Sequence, residues 1–162
     1  MSDPRLDGLV DQAAVAERVY RYATGIDTRD MALYRSLFAD RVDIDFSSYN
    51  GTPPATISAD DWVANVEILF TGLDATQHSM TNPIVAVDGD RATCTMYMQA
   101  AHFMTNDRGD DEFTIGGYYD DTLIRHDDGW LIDGLKLTVL WSRGNRHIMD
   151  LAAALGAERL GR

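Results

Sequence analysis

The spacing of apolar residues changes near the middle of the chain, and this change restricts the possible folds more than any other feature. From residue 76 onward, apolar and polar side chains alternate, which is the two-residue period of a β-strand. The sequences DGD and DDG interrupt this alternation and are typical of tight hairpin turns. The second half of the chain therefore predicts four antiparallel strands. They span residues 76–90, 91–104, 111–126 and 129–142.

The first half follows the 3.6-residue period of an α-helix instead. Its first helix carries one apolar stripe, its second begins after Asp30 as N-cap, and its third begins near Ser58. A short alternating segment predicts one further strand. Helices followed by a run of antiparallel strands indicate an α+β fold with the helices on one face of a curved sheet. The predicted helices span residues 10–26, 31–40, 58–73 and 145–156, and the further strand spans residues 40–48.

Composition restricts the partners and the compartment. The chain has 162 residues, enough for one domain with a substantial core, and 45% of them are hydrophobic. Its net charge of -12 repels phosphate, so we expect no nucleic-acid binding and no docking on an anionic membrane. No apolar stretch is long enough to span a membrane, and the N-terminus lacks signal-peptide features. Cys94 is the one cysteine, which excludes an intrachain disulfide and favours a cytoplasmic location.

Strand alternation places two histidines on the buried side of the predicted sheet. A lone histidine facing inward is usually a packed core residue with satisfied ring nitrogens. Two such histidines on neighbouring strands indicate a site. The apolar row of one strand is Cys94, Met96, Met98, Ala100 and His102, and that of its neighbour is His78, Met80, Asn82, Ile84 and Ala86.

A carboxylate is available where the first predicted helix ends. Asp27 lies in the segment YATGIDTRD, where an aspartate is commonly a capping or loop residue. Tyr22 precedes it by five residues, which is about 140° around an ideal helix. The two side chains can share a pocket if the helix unwinds near Gly25, or if both line the pocket wall from different angles.

Five segments carry a family resemblance. They are YxxxxD at residues 22–27, LFADRVDIDF at 37–46, QH at 77–78, VDGDRA at 87–92 and GYYDDTLIRHDDGWLIDGLKL at 117–137. In order and spacing they resemble the SnoaL-like family of the nuclear transport factor 2-like superfamily, over nearly the whole chain. The resemblance implies a single domain over residues 1–162. It also implies a cone-shaped α+β barrel, with a strongly curved, mixed or antiparallel sheet around a pocket that the N-terminal helices cover.

Several enzymes of this family are cofactor-independent lyases, and the resemblance implies a shared Asp–His dyad. Asp27 and His78 match the dyad of scytalone dehydratase, bile acid 7α-dehydratase and hexachlorocyclohexane dehydrochlorinase. His102 matches a second essential histidine of scytalone dehydratase. Tyr22 and Arg143 match a tyrosine and the catalytic arginine of the bile acid enzyme.

These residue types suit the abstraction of a proton from carbon. Asp27 would accept the Nδ1 proton of His78, which leaves the other ring nitrogen as the general base. His102 or Tyr22 would donate a proton or a hydrogen bond to the departing oxygen or to a developing enolate. Arg143 would bind a carboxylate or an oxyanion.

The predicted reaction is a dehydratase-like elimination without metal or cofactor. Its substrate would be a hydrophobic or aromatic small molecule, because the expected pocket lining is large and apolar. The residues predicted to contact this substrate are Phe46, Asn82, Met96, Met98, Tyr119, Leu137 and Trp141.

Three alternatives stay open at the level of sequence. His78, His102 and Asp27 contain the residue types of a two-histidine, one-carboxylate metal centre, although no HxD or HxE pair supports it. An isomerase or cyclase could use the same proton abstraction and return the proton elsewhere. A protein of this family could also bind small molecules without catalysis.

The outer face of the predicted sheet is moderately apolar for a surface exposed to solvent. It carries Thr95, Tyr97, Gln99 and Phe103. Because many relatives pair through this face, the resemblance implies a homodimer or a homotrimer.

Overall fold

Helices and strands follow one another in the predicted order, with helices first and long strands after. The computed structural model describes residues 4–127 and 129–162. The helices are α1 (Pro4–Asp27), α2 (Met31–Ser36), α3 (Ser47–Asn50), α4 (Ala59–Gly72) and α5 (His147–Leu160). The strands are β1 (Phe38–Asp45), β2 (Ala55–Ser58), β3 (Ala75–Asp88), β4 (Arg91–Phe103), β5 (Glu112–His126) and β6 (Gly129–Gly144).

The strands form one curved, unclosed sheet in the order β2-β1-β6-β5-β4-β3. β1 runs parallel to β6, and the remaining neighbours are antiparallel. The sheet is therefore mixed, and β2 and β3 form its two edges. The predicted α+β class with a curved sheet is confirmed.

The helices lie against the sheet and enclose the core. α1 packs on β3 and β6, and α4 packs on β1 and against α5. The apolar stripe predicted for the first helix is buried, because Val15, Val19, Tyr22 and Ile26 are each at most 3% exposed. None of the helices described for residues 4–127 and 129–162 has the length and apolarity needed to cross a membrane.

The first helix ends close to its predicted end. α1 runs to Asp27, so the unwinding near Gly25, one of the two arrangements that the sequence allowed, does not occur. A Cβ at Gly25 would lie 3.0 Å from the Cβ of Tyr34 on α2. The glycine therefore allows α1 and α2 to approach closely.

Two short elements between the predicted ones were missed. α3 and β2 each contain four residues, which is too short for a periodic pattern to be recognised. The predicted cap of the third helix is present, because the Ser58 hydroxyl accepts a hydrogen bond of 3.1 Å from the backbone N–H of Asp61.

A bulge in β3 inverts the predicted alternation of its second half. The pairing with β4 steps from Thr81–Tyr97 to Ile84–Thr95, so β3 contains one extra residue there. Asn82 has a φ of 55°, in the left-handed region that asparagine tolerates better than most residues. Beyond the bulge, Ile84 is 69% exposed, so its predicted inward orientation is wrong.

A second bulge lies in β6. Gly117 of β5 pairs with Val139, and the residue before it, Gly116, pairs with Trp141. Leu140 is the extra residue and is 60% exposed. All β6 residues that follow Leu140 face the side of the sheet opposite to the one that uninterrupted alternation from Leu137 would give.

Candidate active site

A cavity of about 360 Å³ lies between the concave face of the sheet and the helices that cover it. Its wall is mainly aliphatic and aromatic. Two histidines and three tyrosines supply polar atoms, together with Asn50, Thr52 and Asn65. The complete lining is Tyr22, Ile26, Ile44, Phe46, Tyr49, Asn50, Thr52, Pro53, Ala55, Ile57, Trp62, Asn65, Val66, Leu69, Phe70, His78, His102, Ile115, Tyr119, Leu137 and Met149.

The end of α1 and the start of β3 bring Asp27 and His78 together. The Nδ1 atom of His78 lies 2.8 Å from Oδ1 of Asp27, and the backbone N–H of His78 donates to Oδ2 at 2.7 Å. An ionised carboxylate can only accept, so Nδ1 carries the hydrogen. Nε2 is then the unprotonated nitrogen of a neutral His78. The His78 side chain is only 4% exposed, so this nitrogen is available mainly to a molecule inside the cavity.

The carboxyl of Asp27 is held in its ionised form by its hydrogen bonds. Partial burial acts to raise the pKa of Asp27, but the hydrogen bonds from His78 and Thr76 outweigh burial and lower this pKa below its usual value. The Thr76 hydroxyl donates to Oδ1 at 2.9 Å. Asp27 is therefore a stable anionic partner for the Nδ1–H group of His78 near neutral pH.

His102 is buried and uncharged. Its Nδ1 lies 3.0 Å from the carbonyl oxygen of Phe113, which can only accept, so Nδ1 carries the hydrogen here as well. Burial, together with the nearby His78, lowers the pKa of His102 to about 4. Its Nε2 is consequently a hydrogen-bond acceptor at neutral pH, and the predicted donor role does not fit this tautomer.

Two buried phenols provide the donors that His102 does not. The hydroxyl groups of Tyr22 and Tyr119 lie 3.3 Å apart on the cavity wall. Burial raises the pKa of both tyrosines well above that of a free phenol, so both stay protonated. The hydroxyl of Tyr22 also interacts with that of Tyr34, which accepts a hydrogen bond of 2.9 Å from Nε1 of Trp62. The three phenols therefore form one buried network beside the cavity.

Aromatic contacts fix the orientation of the two imidazoles. Their ring centroids lie 5.8 Å apart with the planes nearly perpendicular. The ring of Phe70 lies 5.9 Å from His78 and 6.0 Å from His102. Because Phe70 also lines the cavity, it shields the dyad from solvent on the side of α4.

Most of the predicted site residues meet at this cavity. Tyr22, Phe46, His78, His102, Tyr119 and Leu137 belong to its lining, and Asp27 supports His78 from behind. Tyr22 and Asp27 approach the site from different angles of an intact helix, which is one of the two arrangements that the sequence allowed.

Arg143 and Trp141 lie outside the cavity lining. The bulge at Leu140 turns both residues to the outer face of the sheet, opposite to the face predicted by simple alternation. The Arg143 side chain is 71% exposed and forms an ion pair of 3.5 Å with Glu112. The Trp141 ring covers Gly116 on that outer face. The predicted placement of both residues in the pocket is corrected accordingly.

Asn82 also lies outside the cavity. It occupies the bulge of β3 and is exposed, so its predicted contact with a substrate is not supported. Met96 and Met98 are buried on the predicted face of β4 but belong to the core and not to the lining.

The cavity wall supplied by α4 and α3 was not predicted. Trp62, Val66 and Phe70 form the apolar face of α4, and Tyr49 comes from α3. The stripe on α4 was visible in the sequence as one face of a helix. It could have been assigned to the pocket, because the helices were expected to cover that pocket.

The structure offers no ligand set for a metal ion in the described part of the chain. Within residues 4–127 and 129–162, no group of three or more histidine, cysteine, aspartate or glutamate side chains is arranged to hold one. In the dyad, Asp27 and Nδ1 of His78 already bind each other.

Comparison with known proteins assigns the chain to a family. Residues 7–136 match the family model described as a SnoaL-like domain. The chain belongs to the SnoaL-like family. The family predicted from the five sequence segments is thereby confirmed. No curated protein matches the chain significantly.

Solved structures of this family share the fold over most of their length. The Kfla4162 protein from Kribbella flavida is 32% identical, with a TM-score of 0.83 over 87% of this chain and 97% of that chain. A scytalone dehydratase-like protein from Novosphingobium aromaticivorans is 21% identical, with a TM-score of 0.74 over 85% and 89%. Hexachlorocyclohexane dehydrochlorinase from Novosphingobium barchaimii is 18% identical, with a TM-score of 0.71 over 88% and 94%. The predicted cone-shaped fold is confirmed.

Proposed function

We propose that this SnoaL-like protein is a cofactor-independent lyase that uses Asp27 and His78 to eliminate a small leaving group from a neutral, apolar molecule. The observation that carries the proposal is the 2.8 Å contact between Asp27 and Nδ1 of His78 at the wall of an apolar cavity. A contact of this kind fixes the tautomer of an imidazole that acts as general base. The names of two similar structures, a dehydratase and a dehydrochlorinase, denote eliminations of this kind.

The proposed step begins with proton removal by His78. Its Nε2 takes a proton from a carbon that is acidified by a neighbouring group, and Asp27 stabilises the imidazolium that forms. The electron pair of the C–H bond becomes the second bond of a C=C group. The leaving group on the adjacent carbon departs with the electron pair of its own bond. An oxygen leaving group accepts a proton as it departs, whereas a halide needs none.

Tyr22 and Tyr119 take the donor role in this proposal. Both phenols line the cavity, and the O–H group of either one can turn to a departing oxygen or to an enolate oxygen when a substrate is bound. His102 has a different task. Its unprotonated Nε2 can accept a hydrogen bond from a substrate hydroxyl and so orient the C–H bond toward His78.

The lining defines the class of substrate. Of the residues described, those that line the cavity include no aspartate, glutamate, lysine or arginine. An anionic substrate would therefore lose its hydration without gaining a cationic partner, which is unfavourable. With Arg143 on the outer face, recognition of a substrate carboxylate is not part of the proposal. A neutral aromatic or alicyclic compound with a few polar groups fits the wall.

A screen of neutral hydroxylated and halogenated aromatic and alicyclic compounds tests the proposal. Product analysis should show an alkene or an aromatised ring together with released water or halide. His78→Ala and Asp27→Asn should lower the rate by roughly 100-fold to 10,000-fold, the usual contribution of general base catalysis. His126→Ala is the matched control, because His126 is exposed at the end of β5.

The products and the variants also separate the competing functions. A product with the same mass as its substrate would assign an isomerase or a cyclase that uses the same base. Full activity of either dyad variant on a confirmed substrate would overturn the proposed role of the dyad. Binding of panel compounds without any conversion would favour a non-catalytic binding protein.

A further inference from the structure

Arg29 adopts a backbone conformation that is unusual for its residue type. It lies two residues beyond the end of α1 and has a φ of 59°, in the left-handed region. A non-glycine residue in this region is destabilised by roughly 1 kcal/mol or more. The conformation turns the chain from α1 into α2 and lets the half-buried Arg29 side chain fold back toward the dyad. Its Nη1 donates to the carbonyl oxygen of Ile26 at 2.7 Å.

The same Nη1 atom also donates to a neighbour of the dyad. It lies 2.8 Å from Oγ1 of Thr76 on β3. A guanidinium can only donate, so the Thr76 hydroxyl is free to give its own hydrogen to Oδ1 of Asp27 at 2.9 Å. The direction of the chain of hydrogen bonds is therefore fixed. It runs from Arg29 through Thr76 to the oxygen of Asp27 that also accepts from His78.

The charges of this group balance when His78 is ready to act as a base. Ionised Asp27 beside neutral His78 carries one negative charge in a region where the Asp27 side chain is 21% exposed. Arg29 supplies the compensating positive charge through Thr76. The charged and titratable groups that face His78 are Asp27 from α1, Arg29 from the loop that follows, and His102 from β4.

The guanidinium acts from outside the cavity. Its Cζ atom lies 5.5 Å from the ring centroid of Phe70, and Phe70 forms part of the cavity wall. This contact is a cation–π interaction that holds the side chain in place. Arg29 itself does not belong to the lining, so it can influence the base without touching a substrate.

We propose that Arg29 and Thr76 are positioning residues that hold Asp27 ionised and fix its carboxylate beside the Nδ1–H group of His78. The proposal rests on the proposed role of His78 as the general base. Loss of the positive charge of Arg29 makes the Asp27–His78 pair easier to protonate, because a nearby cation opposes the uptake of a proton. Loss of the Thr76 hydroxyl acts in the same direction, since the negative charge of Asp27 loses one of its donors.

An NMR titration of the His78 ring nitrogens tests this in the absence of substrate. In Arg29→Gly and Thr76→Val, the Asp27–His78 pair should take up its first proton at a pH roughly 0.5 to 1 unit higher than in the native protein. Glycine adopts a positive φ without strain, so Arg29→Gly removes the side chain and leaves the backbone relaxed. Thr76→Val keeps the branched shape that suits a strand.

Three variants serve as controls. Arg29→Lys keeps the charge and Thr76→Ser keeps the hydroxyl, and both should titrate close to the native protein. Arg21→Gln removes an exposed arginine of α1 that pairs with Glu17, and it should leave the titration unchanged. The proposal is overturned if Arg29→Gly and Thr76→Val titrate like the native protein, or if Arg21→Gln shifts the titration as much as Arg29→Gly does.

Activity gives a second and separable readout once a substrate is known. In Arg29→Gly, the acidic limb of the pH profile of kcat/KM should move upward by the shift seen in the titration, while KM stays within about twofold because no substrate contact is lost. A shifted titration together with an active His78→Ala would refute the proposed function and leave only the effect of Arg29 on the protonation of the Asp27–His78 pair. An unshifted titration together with an inactive His78→Ala would refute the role of Arg29 and leave the proposed function intact.

Discussion

Two inward-facing histidines of neighbouring strands differ in the partner of their Nδ1 atoms. Nδ1 of His78 donates to a carboxylate, whereas Nδ1 of His102 donates to the carbonyl oxygen of Phe113. A carboxylate stabilises the imidazolium that forms when His78 accepts a proton. A carbonyl oxygen compensates that charge far less, so His102 stays neutral. The tautomer of each ring thus follows from one hydrogen bond.

The buried His102 makes the protein sensitive to acid. Its pKa is lowered from 6.5 to about 4, mainly by burial, so the unfolded chain binds a proton below pH 6.5 that the native protein refuses. The free energy of unfolding therefore keeps its full value above pH 6.5. It falls by about 1.4 kcal/mol per pH unit as the pH decreases from 6.5 toward 4. Urea unfolding of the native protein should therefore give a lower free energy of unfolding at pH 5 than at pH 7.

His102→Gln should reduce this loss by about 2 kcal/mol, since the ring that titrates differently in the two states is absent. The comparison is made within each variant, so any packing defect of the glutamine cancels. His126→Gln removes an exposed histidine and should keep the native loss. An unchanged pH dependence in His102→Gln would contradict the account of its burial.

Asp121 should have the opposite effect, because it lowers the stability of the protein as the pH rises. It is 2% exposed, and neither carboxyl oxygen has a hydrogen-bond partner in the part of the chain that the structure describes. Burial, with a smaller effect from Asp120, raises the pKa of Asp121 well above 3.8. The native protein then holds a proton that the unfolded chain releases, so stability falls by up to about 1.4 kcal/mol per pH unit above pH 3.8, until the native carboxyl ionises.

Asp121→Asn should remove this penalty and raise the free energy of unfolding at pH 8 relative to pH 6, compared with the native protein. An amide of the same shape is neutral at every pH, and its burial is less unfavourable than that of a charge. Asp88→Asn is the control, because Asp88 is exposed at the end of β3. Equal pH dependence in Asp121→Asn and the native protein would show that Asp121 is not protonated in the fold.

At the scale of elements, the long strands and the inward orientation of His78 and His102 were predictable because alternation reports directly which side chains are buried. Asp27 was placed beside them through the family resemblance, since its local sequence also fits a capping carboxylate. The predicted pocket positions of Asn82, Trp141 and Arg143 were wrong because each residue lies in or beyond a bulge. A bulge inserts one residue and reverses every later side chain of the strand.

The sequence signals for these bulges are weak. In β3, Asn82 precedes Pro83, and both residue types are depleted inside strands, which indicates an irregularity after the fact. In β6, Leu140 stands in a uniformly apolar segment and gives no signal. The contact of Arg29 with Thr76 joins residues far apart in the chain, and only the fold reveals it.

The helix pair α4 and α5 depends on two glycines. A Cβ at Gly156 would lie 1.7 Å from the carbonyl oxygen of Ile68, and a Cβ at Gly72 would lie 1.8 Å from that of Ala152. Both clashes are with backbone, which cannot rotate away. Because α4 carries much of the cavity wall, this close crossing also positions the site.

Gly156→Ala should therefore lower the free energy of unfolding by roughly 1 to 3 kcal/mol, the usual effect of overpacking. Gly8→Ala is the matched control in α1, where no atom lies within 4 Å of the added Cβ. It should stabilise the protein by roughly 0.5 to 1 kcal/mol through its helix propensity. Chemical denaturation of the two variants measures both changes in the free energy of unfolding. An unchanged free energy of unfolding in Gly156→Ala would contradict the packing described for α4 and α5.

At the scale of the molecule, the outer face of the sheet presents large apolar side chains to solvent. Tyr97 is 48% exposed, Phe103 39%, Leu140 60% and Trp141 46%. Patches of this kind are typical of surfaces that pair with another protein. We expect the chain to form a homodimer or a homotrimer through this face.

Light scattering after size exclusion should give a multiple of the chain mass, and Tyr97→Lys with Phe103→Lys should yield a monomer. A monomeric native protein would contradict this expectation.

Release of deuterium from a substrate carbon is the most direct test of the proposed chemistry. A substrate from the screen is labelled at the carbon that loses its proton, and NMR follows deuterium in water and the growth of the C=C signal. The native protein and His126→Ala should release deuterium as the double bond forms, while His78→Ala should be slower by roughly 100-fold or more. Release by His78→Ala at the native rate, or deuterium retained in the product, would contradict an elimination that begins at His78.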